Sequence, residues 1–365
     1  MAKKDRTFVT YENLLEIERE HNPNYMIVFG GRNDGKSYAA KEKVLRDFFD
    51  HGAQFTYLRR YDIDIKTVDN TLYWADFTSG KKNKVMELSG KAWNDITYEK
   101  GVFYLGLTEN GKTERGPVIG YAHALSVSEK RYKSLQFPDV ENVIYEEFCS
   151  ADVMLYNEVK IFMNYISTIN RGRRINVYMI GNTVSRHNAY FREWQLENIP
   201  KQKPGTVDVY YYKTDEGNEI VIACYYTTTE KDNTMFFGSS AKMIQGGEWD
   251  SDEQPHLKHN EEEYEEVYRC IFMTDSLNRY LCRFMVRDDI GVSYITAKTT
   301  DPKPEDRVIS PEYVESIRYT NNFIPLNDHE KKLFSYLGLG RICYGDNLTG
   351  TEFKRALKQL KVLNN

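Results

Sequence analysis

The chain has no apolar run approaching the roughly 20 residues that a membrane-crossing helix needs, so no membrane partner is expected. Its five cysteines (Cys149, Cys224, Cys270, Cys282, Cys343) are odd in number and widely spaced, without a C-x-x-C pair. That pattern argues against both a disulfide framework and a zinc site and leaves reduced thiols. Of the seven histidines only His256 and His259 sit close together, in a polar stretch, and they read as surface residues. An excess of basic charge is also missing: 49 Lys and Arg against 54 Asp and Glu give a net charge of −5. This excludes a protein coated in basic surface for nucleic acid, though not a local patch. There is no internal repeat or low-complexity tract, and residues 1–6 lack the apolar segment of a secretory signal, so a soluble intracellular protein is expected.

What is present is enough apolar residue for two ordinary cores. At 365 residues, 41% hydrophobic and 28% charged, the chain exceeds what one compact core supports. The strongest local signal is at residues 25–37, where a short apolar strand runs into a G-x-x-x-x-G-K-S loop. In such a loop the glycines allow a tight backbone path that turns N–H groups toward phosphate. Lys36 would reach the β- and γ-phosphates, and the Ser37 hydroxyl would bind Mg²⁺ at the start of the next helix. Context supports this, because residues 25–29 form a buried-strand pattern. Ala39, Ala40, Val44, Leu45 and Phe48 then recur at helical spacing. The expected nucleotide-binding set is Gly30, Gly31, Arg32, Asn33, Asp34, Gly35, Lys36, Ser37 and Tyr38.

Farther along, residues 54–60 alternate as a strand and end on two arginines, while 66–98 are poorly periodic and read as loops with a short helix. Two apolar runs flank Glu-Asn-Gly-Lys at 109–112, a type I′ turn sequence, so a β-hairpin inserted in the sheet is expected. Residues 141–148 form a buried strand ending in Glu146 and Glu147. A helical apolar pattern follows over 151–169, then a basic segment at 171–174 and a strand over 175–181 ending at Asn182. This alternation predicts a mostly parallel sheet sandwiched by helices. Short β-rich runs at 207–212 and 219–227 precede a Gly/Ser/Asp-rich linker. Three antiparallel strands are expected at 267–274, 280–287 and 291–298, and mixed helix to the end. The domains are therefore an ATPase domain at 1–235, a linker at 236–256 and a smaller α/β domain at 257–365.

An apolar strand ending in acids, about a hundred residues after a P-loop, is a Walker B pattern. Glu146 would hold Mg²⁺ and Glu147 would polarise the attacking water as general base. Glu146 stands where Asp is commoner, which leaves the division of roles open. The order of strands and the adjacent glutamate point to the additional-strand class of P-loop ATPases. Asn182 either senses the γ-phosphate or makes a turn. An arginine from a neighbouring subunit would complete the site, and Arg171, ahead of Arg173 and Arg174, is the candidate.

The segments at 29–39, 54–61, 125–130, 143–148 and 181–191 occur in the order seen in the DNA-packaging motor ATPases of phi29-like tailed phages, and the chain resembles that family over roughly residues 8–195. The resemblance implies an ATP- and Mg²⁺-dependent ring, a pentamer, that drives double-stranded DNA into a procapsid at the portal vertex in the host cytoplasm. It also implies a docking RNA as partner and a role for Lys130 beside the finger between subunits. By the same resemblance the C-terminal domain is similar to an RNase H-type nuclease that has lost its activity. The adjacent Asp288 and Asp289 would point to opposite faces of a strand and so could not share a metal. The alternatives are a helicase-like ATPase and a nucleotide-gated scaffold with little turnover. Lys66, Lys81, Lys82 and Lys84 are the candidate DNA contacts.

Overall fold

The computed structural model describes residues 8–66, 70–79, 82–149, 154–155, 157–183, 188–214, 217–228, 254–273, 279–310, 321–322 and 327–363. The chain divides into two compact units, Met1–Asp250 and Ser251–Asn365. Most of the expected linker, and Lys81 among the candidate DNA contacts, lies outside the described residues.

In the first unit, helix α1 (Tyr11–His21) precedes strand β1 (Tyr25–Gly30), which feeds helix α2 (Lys36–His51) and then β2 (Gln54–Arg59). Short helices α3 (Ile63–Lys66), α4 (Ala75–Thr78) and α5 (Lys84–Leu88) lead to β3 (Asp95–Glu99), β4 (Val102–Glu109) and β5 (Lys112–Ala124). After α6 (Ser128–Arg131) come β6 (Val140–Glu146), α7 (Glu158–Asn170), β7 (Asn176–Asn182), α8 (Ala189–Glu193), β8 (Val207–Lys213) and β9 (Glu219–Tyr226). The nine strands lie in the order β3-β4-β5-β2-β6-β7-β1-β9-β8. The six from β5 to β9 in that order are mutually parallel, and β3, β4 and β8 complete the edges in antiparallel fashion. Strand β7 intervenes between the loop-bearing β1 and the acidic β6, which is the additional-strand arrangement that the sequence implied.

Central strands of such a sheet must be apolar on both faces, because helices cover both. All six residues of β1 are buried. Ile27 and Phe29 face a core shared with Phe162, Ile166 and Tyr190, whereas Met26 and Val28 face one shared with Leu14, Ala40 and Leu45. Burying each large side chain contributes about 1.5–3 kcal/mol, which sets the sheet's register.

The hairpin is present as expected: Asn110 and Gly111 have φ of 53° and 75°, as a type I′ turn requires. It is not an insertion, however, since β5 pairs with β2 and carries the sheet outward. The helix expected over 151–169 begins only at Glu158. Asn157 before it is left-handed (φ 53°), and the Glu158 carboxylate accepts the Leu155 N–H at 2.9 Å, closing the N-terminus there. Helix α1 has no counterpart in the sequence reading, although Thr10 and Asn13 form a capping box and Leu14 and Ile17 supply the buried stripe.

In the second unit β10 (Glu265–Met273), β11 (Arg279–Arg287) and β12 (Ile290–Ala297) form the expected antiparallel meander. Strands β13 (Val308–Ile309), β14 (Asn321–Asn322) and β15 (Ile342–Tyr344) extend it to the order β14-β13-β10-β11-β12-β15, with β13 parallel to β10 and β15 parallel to β12. Helices α9 (Asp328–Gly338) and α10 (Asn347–Leu363) place Leu333, Phe353 and Leu357 against Phe272, Cys282 and Ile295. Asp288 and Asp289 are not strand residues. Both are exposed and left-handed (φ 49° and 60°) and form the two-residue turn between β11 and β12.

His123 on β5 is 4% exposed, with Nδ1 2.9 Å from the Tyr165 hydroxyl and its ring stacked 4.1 Å from that of Tyr132. Burial, helped by the charge of Arg131, lowers its pKa to about 3. Between about pH 6.5 and 3 the unfolded chain therefore binds a proton that the folded chain refuses, and stability falls with acid by up to about 1.4 kcal/mol per pH unit. Denaturant unfolding across this range is expected to show a shallower acid limb for His123→Gln than for the wild type. Identical slopes would mean that His123 is not the group responsible.

Candidate functional site

The parallel strands bring their C-terminal ends to one edge of the sheet, and the site is assembled there. Gly30 ends β1, Arg59 ends β2, Glu146 ends β6 and Asn182 ends β7. Glu146 and Asn182 border a cleft of about 740 Å³ that is lined across from them by the loop residues Arg32 to Ser37.

Three contacts fix the loop from outside. The Val9 N–H donates to the Asp34 carbonyl at 2.8 Å, and the Thr227 N–H, just past β9, donates to the Phe29 carbonyl at 2.8 Å. The Thr227 hydroxyl donates to the Asp34 carboxylate at 2.7 Å, both residues being buried. Gly35 is left-handed at φ 85° and caps α2, and a Cβ there would meet the Val9 carbonyl at 2.7 Å. Asn33 is left-handed too (φ 60°). Asp34, placed by the sequence in the binding set, thus turns its side chain to Thr227. Arg32, Asn33 and Tyr38 are exposed and border the cleft. Tyr38 packs on Phe77 with ring centroids 4.5 Å apart.

Lys36 is 5% exposed; its Nζ donates to the Gly31 carbonyl and to Asn182 Oδ1 at 3.4 Å. Asn182 therefore belongs to the site and is more than a turn residue. Glu146 is 8% exposed and lies beside the Ser37 hydroxyl. Burial raises its carboxyl above the ordinary range, against the Ser37 hydroxyl and the charges of Lys41 and Arg59. A buried carboxylate beside a hydroxyl at a helix N-terminus is an all-oxygen donor pair suited to Mg²⁺, so these residues fit that ion. The longer side chain of a glutamate is accommodated by the Tyr73 hydroxyl, 3.4 Å from Glu146 Oε1. Lys41, one turn along α2, is buried against Asp76 (2.6 and 2.8 Å) and the Tyr73 carbonyl (2.8 Å). Burial lowers the pKa of this lysine, opposed by Asp76 and Glu146.

Glu147, left-handed at φ 58°, aims its exposed carboxylate at Arg59, whose Nη2 lies 2.6 Å from Oε2. A non-glycine residue is costly there, and such strain gathers at functional turns. Arg59 also touches Asp64 (3.7 Å) and the Tyr57 hydroxyl (3.3 Å). Arg59 and Arg60 stand out in the sequence without a role assigned to them, and Tyr73, Asp76 and Thr227 carry no local pattern. Lys41, one helical turn after Ser37, had position alone as its signal.

The arginines expected to serve a neighbouring subunit lie away from the cleft of their own chain. Arg171, Arg173 and Arg174 precede β7, at the end of the sheet opposite the cleft, a strand of seven residues away from Asn182. Arg171 lies 3.4 Å from the Lys133 and Leu135 carbonyls, Arg173 donates to the Phe137 carbonyl (2.9 Å), and Arg174 to that of Asn22 (2.6 Å). They fasten loops of their own chain. Lys130, by contrast, is exposed on α6 at the cleft edge, because β5 runs parallel to β2. Of the candidate DNA contacts, Lys66 is paired with Asp62, and Lys84 with Glu42 (3.1 Å) and Glu87 (2.9 Å), while Lys82 is exposed. Among the described residues no group of three or more His, Cys, Asp or Glu is placed to hold a metal ion, and no helix is long and apolar enough to cross a membrane.

Residues 5–204 match the family described as Podovirus DNA encapsidation protein (Gp16). The DNA packaging proteins of Bacillus phages PZA and phi29 are each 30% identical over 193 residues, which is 52% of this chain and 50% of each relative. The chain thus aligns with about half the length of these curated relatives. The solved structure of the Phi-28 gp11 DNA packaging motor superposes with a TM-score of 0.57, covering 97% of this chain and 98% of that one. At 18% identity this is a likeness of fold.

A Cβ at Gly30 would lie 1.9 Å from Thr227 Oγ1 and 2.9 Å from Asp34 Oδ2. Gly30→Ala is therefore expected to displace the loop and weaken binding of a fluorescent ATP analogue at least tenfold, with part recovered in Gly30→Ala/Thr227→Ala. Unchanged affinity in the single variant would show that the loop does not need this close approach.

Proposed function

Because this chain belongs to the Podovirus DNA encapsidation protein (Gp16) family, we propose that it is an ATPase that drives double-stranded DNA into a phage procapsid. The observation that carries the reading is the convergence of Lys36, the Ser37–Glu146 pair and the Arg59–Glu147 pair on one sheet edge.

In this reading the loop N–H groups and Lys36 bind the phosphates of ATP, the lysine exchanging its bonds to Gly31 and Asn182 for phosphate oxygens. Ser37 and Glu146 would hold Mg²⁺, which supplies charge neutralisation on the phosphate oxygens. Glu147 is the base that orients water and takes its proton. Arg59 keeps this carboxylate in place and must release it before the proton moves. Asn182, against Lys36, reads the phosphate from the neighbouring strand. Lys130, exposed on the same edge, is the group that would reach a neighbouring subunit's site.

The working form is a ring, a pentamer, seated at the portal vertex of the procapsid in the host cytoplasm, with a packaging RNA as a further partner. The C-terminal unit is assigned as an RNase H-type domain without nuclease activity. With a net charge of −5 the grip on DNA is local, made to phosphates, independent of sequence and weakened by salt.

Phosphate release measured with and without duplex DNA tests the whole reading: turnover stimulated by intact duplex supports it, strand separation would favour a helicase, and absence of turnover a scaffold. Lys36→Ala is expected to abolish turnover with the fold intact. Glu147→Gln should bind ATP and hydrolyse it roughly a hundredfold or more slowly. If Glu146→Gln shows that signature instead, the two roles are reversed.

For the contact between subunits the readout is complementation. Lys130→Ala and Lys36→Ala, each inactive alone, are expected to regain part of the turnover when mixed. Full activity of Lys130→Ala by itself would remove that lysine from the reaction.

A further inference from the structure

One residue beyond the site lies a second charged cluster, wholly inside the protein. Arg60 follows Arg59, and successive residues of an extended chain point to opposite faces. Arg59 turns to Glu147, while Arg60 turns inward and meets Glu158 at the start of α7, 98 positions away. Both are buried, with side chains only 5% and 1% exposed. Arg60 Nε and Nη2 donate to the two oxygens of Glu158 at 2.7 and 3.1 Å. The same carboxylate accepts the Tyr145 hydroxyl (2.8 Å), the Tyr190 hydroxyl (3.1 Å) and the Leu155 N–H (2.9 Å). Arg60 Nη2 also donates to the Phe148 carbonyl at 2.8 Å.

The partners bracket the site. Tyr145 precedes Glu146 and Phe148 follows Glu147, so the cluster holds the left-handed turn at Glu147 from both sides. Arg60 itself anchors the backbone that presents Arg59, and Tyr190 ties in the chain that follows Asn182. A buried ion pair is a poor way to gain stability, since apolar residues of similar volume do as well or better. What it gives is direction: five donors converge on one carboxylate and fix four segments against each other.

We propose that Arg60 and Glu158 are positioning residues for hydrolysis, which hold the turn of Glu147 and its partner Arg59 in register. The inference rests on the reading of Glu147 as base. Neither residue touches the cleft, so their loss affects turnover and spares nucleotide affinity.

The experiment measures single-turnover ATP hydrolysis and the dissociation constant of a fluorescent ATP analogue for full-length Glu158→Gln and Arg60→Lys, each also combined with Glu147→Gln. Tyr190→Phe and Tyr145→Phe, which remove one hydroxyl each, serve where the charged variants do not fold. Hydrolysis is expected to fall at least tenfold in the charge variants and severalfold in the tyrosine variants, with the dissociation constant within about twofold of wild type. In the Glu147→Gln background the same changes are expected to have no further effect, because they act through that residue. A lowered melting temperature with unchanged hydrolysis per folded molecule overturns the proposal. So does an equal loss of rate in both backgrounds. Failure of the underlying reading looks different, as the wild type would then lack turnover or Glu147→Gln would retain it.

Discussion

Parallel strands impose one constraint on which the rest of the first unit depends: their C-terminal ends fall at one edge, and whatever follows each strand is delivered to a common place. Gly30, Arg59, Glu146 and Asn182 are far apart in sequence, yet the order β2-β6-β7-β1 sets them side by side without any loop reaching across the fold. The constraint also prescribes burial. Helices on both faces demand strands that are largely apolar, and each charged group of the four central strands is pushed to a strand end. There it is either used chemically or neutralised.

Neutralisation takes up much of the basic charge. Lys41 is held by Asp76, Lys43 by Asp47 and Glu18, Arg46 and Lys84 by Glu42, and Arg60 by Glu158. A count of lysines and arginines therefore says little about the surface that meets a polyanion. The cluster 171–174 makes the same point, since its guanidinium groups satisfy carbonyls that the turns beneath the sheet would otherwise leave without donors.

The phosphate-binding loop and the acidic strand were legible in the sequence because their signals are local: glycine spacing, an apolar run, and a charge at its end. The same holds for the 109–112 hairpin, where the turn residues themselves dictate the conformation. Arg59 with Glu147 and Arg60 with Glu158 were not legible, since each pair is separated by 88 and 98 positions and only the strand order brings them together. The start of α7 was misplaced for a related reason. Apolar periodicity carried the pattern back to 151, but a left-handed Asn157 and the cap made by Glu158 decide the boundary. Helix α1 went unread although both its cap and its apolar stripe were written in the sequence. The aspartates at 288 and 289 fell between the expected strands, but neither of the two turn positions holds a glycine to mark it.

Strand β5 has a mechanical consequence. Its thirteen residues span roughly 43 Å at about 3.3 Å each, and only the last five, Gly120–Ala124, are paired with β2. The remainder projects beyond the start of β2 as one arm of the hairpin. At its other end the strand is bolted down, for the Ala124 N–H donates to the Tyr132 hydroxyl at 3.3 Å and the Ser126 N–H to the Arg60 carbonyl at 2.9 Å. The strand resists stretching along its length, so it can act as a strut. It joins the tip near Gly111 by one continuous backbone to the contact with Arg60 and to the helix that bears Lys130.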